Sequence, residues 1–197
     1  MKRILCYGDS NTWGEVAVSR GRMEHDEQWP NILQEILGAD YRVVQEGLSA
    51  RIAGDYEETK PHRNGQRYYE VAFRTANPVD LVVIALGVND MKKKYTRTPE
   101  QIAADLLWYQ KKTKELVGIM LWTMPRMIYL LPHAITPSPY FNGYDMSREV
   151  ADLMRQQDVS CVALDDVETT KDGIHLTPDA HRSLAVELSE KIKEMKL

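Results

Sequence analysis

The 197-residue chain has only two cysteines, Cys6 and Cys161, far apart and each in a candidate buried strand. They do not read as a disulfide framework or a metal knuckle. Reduced core thiols are the expectation, which suits a cytoplasmic protein. Long apolar runs are missing too. The longest, residues 116–125, is about half the span of a membrane helix. The apolar run after the basic start Met1-Lys2-Arg3 stops at Asp9, too short for a signal-peptide core. Nothing therefore points to export or a membrane. Neither sign of charge dominates: 25 basic and 29 acidic residues leave −4, which argues against nucleic acid as the main partner. No Gly-Lys-Ser/Thr follows Gly8 to Gly14, and the glycine spacing suits neither a phosphate loop nor a dinucleotide fingerprint. His25, His62, His133 and His181 show no ligand spacing and read as surface histidines. Lys92-Lys93-Lys94 and Lys111-Lys112 read as a solvated loop and a solvated helix face. Asp165-Asp166 and Glu168 read as a solvated acidic loop. Repeats, low-complexity tracts and linkers are absent.

What is present is an ordinary globular composition, 43% hydrophobic and 27% charged, with length enough for one domain over residues 1–197. Short apolar runs alternate with helical patterns, the mark of βαβ units and a parallel sheet. Five strands are expected, at 3–7, 42–45, 81–86, 127–131 and 161–164. The run from Leu81 to Leu86 is continuous rather than alternating, as in a central strand covered on both faces. Helices are expected at 27–37, ended by Gly38, at 67–75, and at 144–157. Thr98-Pro99-Glu100-Gln101 opens another with a capping box, and Ile102, Leu106, Tyr109, Thr113 and Leu116 fall on its apolar face. Thr177-Pro178-Asp179 opens the last, with Ala180, Leu184, Leu188 and Ile192 as its buried stripe. Two long loops remain, 48–66 and 132–143, the second with an aromatic pair at Tyr140-Phe141. Long ordered loops in a small domain are often functional, with plain surface connection as the alternative.

The first strand runs into Gly8-Asp9-Ser10-Asn11-Thr12-Trp13-Gly14, the second into Gly47, the third into Gly87-Val88-Asn89-Asp90, and the fifth towards Asp172-Gly173-Ile174-His175. In a parallel sheet these turns share one edge, where ligands bind. Serine is a weak nucleophile that needs a base, histidine is the natural one, and a carboxylate fixes its tautomer. Asp172 and His175 are near enough in sequence to meet across one turn. A tetrahedral intermediate also needs donors for its oxyanion, and the Ser10 amide, the Gly47 amide and the Asn89 side chain are candidates. Gly47 suits a position where backbone approaches substrate closely. Each residue alone has a bland reading as a cap, a turn glycine, a loop dipeptide or a structural histidine. Four matching turns in the required order are hard to assign to chance. Ser49 lacks the second glycine of a Gly-x-Ser-x-Gly elbow and reads as structural.

These blocks, with Glu46-Gly47-Leu48-Ser49-Ala50-Arg51, resemble the SGNH (GDSL) hydrolase superfamily. Arg97-Thr98-Pro99 is similar to its mycobacterial-type arylesterase, acyltransferase and perhydrolase branch. The resemblance implies a flavodoxin-like three-layer α/β/α sandwich. It implies Ser10 as nucleophile, His175 as base, Asp172 as its orienting acid, and an oxyanion hole of Ser10, Gly47 and Asn89. It also implies no metal or organic cofactor, a small-molecule ester as partner, and homo-oligomers among relatives. The expected activity is hydrolysis of short-chain or aryl carboxylic esters through an acyl-enzyme, with acyltransfer or perhydrolysis where the site is dry. The alternatives are a carbohydrate O-deacetylase, a thioesterase or lysophospholipase, or a binding module without catalysis. The chain departs from the family's naming motif at Asn11, where Leu is common, and the Asn often placed before the glycine is replaced by Gln45 and Glu46. Asn11 is expected to line the pocket and make it more polar. Trp13 reads as a pocket wall or as packing under the turn. Arg51 reads as a brace for its loop or a contact to an acidic substrate.

Overall fold

The apolar run ending at Gly8 is paired on both sides. In the computed structural model, which describes every residue except Val18, Arg20 and Tyr140, β1 (Lys2–Gly8) lies between β2 (Tyr41–Gly47) and β3 (Leu81–Ala85). β4 (Arg126–Leu130) and β5 (Ser160–Val162) continue beyond β3, and every pairing is parallel. The order β2-β1-β3-β4-β5 reverses direction at β1. A crevice opens there, between the carboxyl ends of β1 and β3.

Alternation along each strand sorts side chains between two faces. Leu5, Tyr7, Val82, Ile84 and Tyr129 pack against α3 (Gly65–Ala76), α4 (Pro99–Met120) and α5 (Ser147–Arg155). Ile4, Cys6, Leu81, Val83 and Ile128 pack against α2 (Trp29–Leu37) and α6 (Pro178–Glu194). The three layers follow from that sorting, and double cover explains the unbroken apolar letters of β3. Capping is as expected in α4: Thr98 accepts from the Gln101 amide at 3.3 Å, and the Gln101 side chain accepts from the Thr98 amide at 3.1 Å.

The differences from expectation are local. The helix expected at 27–37 starts at Trp29, after a separate turn at His25–Glu27, because Pro30 has no N–H to donate and fits only the first turn. The helix expected at 144–157 is Ser147–Arg155, since the Asp145 carboxylate captures the Ser147 amide at 3.1 Å. β5 ends at Val162, an edge strand paired only to β4. Cys6 is buried and Cys161 half-buried, both free. His133 and His181 are not surface residues, being 2% and 1% exposed. His181 precedes Leu184 and Leu188 by one and two turns and so shares their buried stripe, where its Nδ1 accepts from the Trp29 amide at 3.2 Å. Burial pushes both imidazoles down to about 4. The pair at Tyr140-Phe141 lies in part outside the described residues, and Phe141 is buried. Among the described residues no helix is long and apolar enough to cross a membrane.

Candidate functional site

After β1 the chain turns straight into the short helix α1 (Ser10–Trp13). Asp9 caps it by accepting from the Asn11 amide at 3.0 Å, which leaves Ser10 as the first helical residue at the sheet edge. The turn is packed from below. A Cβ on Gly47 would stand 2.2 Å from the Trp13 amide nitrogen and 2.6 Å from the Trp13 Cα. Gly47 therefore makes room for the backbone of α1, whereas the sequence pointed to close approach of substrate. Replacing Gly47 with Ala must push α1 off the sheet, and overpacking of this kind costs about 1–3 kcal/mol. Urea unfolding is expected to show that loss as a lower midpoint, and an unchanged midpoint would contradict the contact.

The turn 172–175 brings the other end of the chain to Ser10. The His175 Nε2 lies 3.0 Å from the Ser10 Oγ, and the His175 Nδ1 lies 2.5 Å from the Asp172 Oδ2. The Asp172 Oδ1 accepts from the Thr170 hydroxyl at 2.9 Å, the His175 amide at 3.0 Å and the Ile174 amide at 3.1 Å. Burial alone pushes the Asp172 carboxyl up. The His175 amide and ring and the Ile174 amide together outweigh it and hold the group below the usual carboxylate range. All three residues are buried.

Asn11 braces this turn. Its Nδ2 donates to the Ile174 carbonyl at 3.1 Å and its Oδ1 accepts from the Leu176 amide at 2.9 Å, one bond on each side of His175. The expected pocket-lining role is corrected on that ground, because both polar atoms are committed to backbone. The loop 132–143 also holds the turn, from the far side. The His133 Nε2 donates to the Ile174 carbonyl at 2.8 Å, the Thr136 amide to the Gly173 carbonyl at 2.9 Å, and the Ser138 hydroxyl to the Asp172 carbonyl at 2.6 Å. Gly173 has φ 75°, and a Cβ there would meet the Thr136 carbonyl oxygen at 2.2 Å.

Asn89 follows β3 and faces Ser10's turn. Its Nδ2 donates to the Arg51 carbonyl at 3.1 Å and to the Asp9 Oδ2 at 3.3 Å, while its Oδ1 accepts from the Lys92 Nζ at 2.6 Å. Burial pushes the Asp9 carboxyl up to about 6. It does the same to the neighbouring Asp90, also to about 6. Asp90 ties the loop 48–66 to this turn by accepting from the Ala53 amide at 2.9 Å and from the Tyr56 hydroxyl. Lys93 and Lys94 are exposed as expected, but Lys92 is half-buried and not part of a solvated run. Lys92 holds Asn89, and Lys94 pairs with the buried Glu57 at 2.5 Å. No spacing marks Lys92 within three successive lysines, and the only hint of Asp90 was its place beside Asn89.

Arg51 and Trp13 also lie away from the substrate side. The Arg51 guanidinium stacks 4.1 Å from the Tyr7 ring centre and donates to the carbonyls of Gly8, at 2.9 Å, and Glu46. It braces the underside of the site. The Trp13 ring is covered by the Arg22 guanidinium at 5.3 Å, with Arg22 Nε bonded to the Trp13 carbonyl at 2.8 Å. A cleft of about 560 Å³ opens over Ser10, Asn89 and His175, and none of Asn11, Trp13 and Arg51 lines it. Glu15 stands on its His175 side, with Oε2 4.0 Å from the His175 Nε2. Among the described residues no three His, Cys, Asp or Glu side chains are grouped to hold a metal ion. Hydroxyl, imidazole and carboxylate in series, open to a cleft, are the arrangement that draws a proton from a serine as it attacks a carbonyl.

Residues 6–183 match the model of the GDSL-like lipase/acylhydrolase family. Among solved structures, the chain is similar to an aryl esterase from M. smegmatis, with 33% identity, TM-score 0.91, and coverage of 98% of this chain and 99% of that one. It is similar to Est24, a carbohydrate acetylesterase from Sinorhizobium meliloti, with 28% identity, TM-score 0.91, and coverage of 99% and 100%. A putative arylesterase from Agrobacterium tumefaciens str. C58 shares 25% identity, with TM-score 0.88 and coverage of 98% and 99%. A comparison with curated proteins gives no match. With its parallel five-stranded sheet and a serine, a glycine, an asparagine and a histidine at the ends of that sheet, the chain belongs to the GDSL-like lipase/acylhydrolase family, as a carboxylic ester hydrolase of SGNH type.

Proposed function

We propose that the protein hydrolyses short-chain or aryl carboxylic esters through an acyl-enzyme on Ser10. The observation that carries this reading is the unbroken series from the Ser10 Oγ through both nitrogens of His175 to Asp172, at 3.0 and 2.5 Å. His175 Nε2 takes the Ser10 proton as Oγ bonds to the ester carbonyl carbon. The negative oxygen is met by the Ser10 and Gly47 amides and by the Asn89 Nδ2, whose 3.3 Å bond to the Asp9 Oδ2 gives way to it. Collapse breaks the bond to the alcohol oxygen, which leaves with the proton from His175. Water then enters, gives a proton to His175 and attacks the acyl carbon. Release of the acid returns that proton to Ser10. An alcohol or peroxide in place of that water gives acyltransfer or a peracid.

Sugar O-deacetylation is the second reading. The Sinorhizobium acetylesterase supports it by superposing as well as the aryl esterase does. Asn11 no longer favours it, since its amide is committed to the turn.

A fluorophosphonate probe tests the common step. One adduct on the Ser10 peptide, lost on prior denaturation, is expected, together with turnover of p-nitrophenyl acetate. Intact folded protein that takes no label, or label on Ser49 instead, would sink the assignment. Rates on acetylated sugars and phenyl acetate then rank the two readings.

A further inference from the structure

The cleft over Ser10 has one strongly cationic wall. Lys60 and Arg63, from the loop 48–66, line it together with Lys92 from the turn after β3. Lys92 feels the buried Asp9 and Asp90 behind it, whereas the other two charges are not neutralised by neighbours. Among the described residues neither Lys60 nor Arg63 forms an ion pair, and the Arg63 Nε is buried with no hydrogen-bond partner. Three other cations around this loop are paired: Arg67 with Asp55 at 2.6 Å, Lys94 with Glu57 at 2.5 Å, and Arg97 with Asp105. Glu57, the buried acid of the loop, is already committed to Lys94, Tyr95 and Thr59. The acids that line the cleft are Asp172, held by His175, and Glu15, on the His175 side. Burial, and behind it the charges of Arg63 and Lys94, push the Lys92 ammonium down to about 8. Like charges gathered beside a cleft, two of them without a paired carboxylate, are unfavourable until an anion arrives.

We propose that the wall of Lys60, Arg63 and Lys92 binds an anionic oxyacid group, carboxylate or phosphate, carried by the ester that Ser10 cleaves. The inference rests on the esterase reading above and adds the substrate's charge. Arg63 supplies a planar fork suited to two oxygens, and Lys60 a mobile charge at the rim. A charge-assisted contact of this kind is expected to favour an anionic ester over its neutral counterpart by about tenfold.

The test compares 4-acetoxybenzoate, phenyl hydrogen succinate and 4-acetoxyphenyl phosphate with the methyl esters of the same compounds. The first places the anion on the alcohol side, the second on the acyl side, and the third exchanges carboxylate for phosphate. The readout is the anionic-to-neutral ratio of kcat/KM. A ratio near ten is expected for at least one pair, carried by KM and shrinking as salt is raised. It should fall towards one in Arg63→Gln and persist in Arg63→Lys. Lys60→Gln, at an exposed position, gives a smaller fall and stands in should Arg63→Gln fail to fold. Calorimetric titration of the Ser10→Ala protein with the same esters reads the ratio without turnover. If no ester is cleaved the esterase reading fails, and the titration still decides the wall. Ratios of one in every pair overturn the proposal, as does a preference that neither the Arg63 nor the Lys60 variant alters.

Discussion

The Ser10→Ala protein is expected to hydrolyse p-nitrophenyl acetate about 10⁶-fold more slowly in kcat than the parent, the loss that follows when a unit of hydroxyl, base and orienting acid is missing its first member. The side chain removed is small. The Asp9 cap of α1 uses a carboxylate and the amide of Asn11, so the helix survives the change. His175 keeps its bond to Asp172 and its turn keeps the Asn11 bracket. Thermal unfolding close to that of the parent is therefore part of the expectation, and it separates lost chemistry from lost fold. On the proposed mechanism, what remains is acceleration by the oxyanion donors, which the substitution leaves in place. Activity within tenfold of the parent would show that Ser10 is not the attacking group.

Asp172→Asn is expected to lower kcat by about 10⁴-fold. The parent carboxylate is acceptor-only, and each of its oxygens is used: Oδ2 faces the His175 Nδ1 at 2.5 Å, and Oδ1 takes donors from Thr170, Ile174 and His175. An amide brings two hydrogens into this site. Turned one way it opposes the three donors at Oδ1. Turned the other it donates to the His175 Nδ1, which then carries no hydrogen, and Nε2 becomes protonated and useless as a base towards Ser10. Loss of rate with the fold preserved, by circular dichroism and by a labelling rate with fluorophosphonate that falls in parallel, is the expected pair of results. A fall in stability with full activity in the folded fraction would leave Asp172 as a structural acid only.

How far the site was legible depends on how local its causes are. Ser10, Gly47, Asn89, Asp172 and His175 lie in turns punctuated by Gly, Asp and Asn, and a parallel sheet places such turns on one edge whatever their distance in sequence. The strands and the stripe of α6 were equally readable, because periodicity is a property of a few turns. Side-chain orientation was not. Asn11 reaches Ile174 across 163 positions. Arg51 turns inward because the Tyr7 ring and two carbonyls of other strands receive it. His133 is buried by a turn from the end of the chain. Lys92 is one of three identical letters, distinguished only by where the backbone aims it. Tertiary packing decided each of these, and no local pattern records it.

The Ser10–His175 contact joins residues 165 positions apart. During synthesis the turn that carries the hydroxyl leaves the ribosome long before the imidazole exists, and the sheet can close on β1, β3 and β4 in the interval. On the proposed mechanism, acyl chemistry thus begins as a late event of translation: a growing chain, however well its first strands have paired, is inert towards esters until the turn at His175 docks.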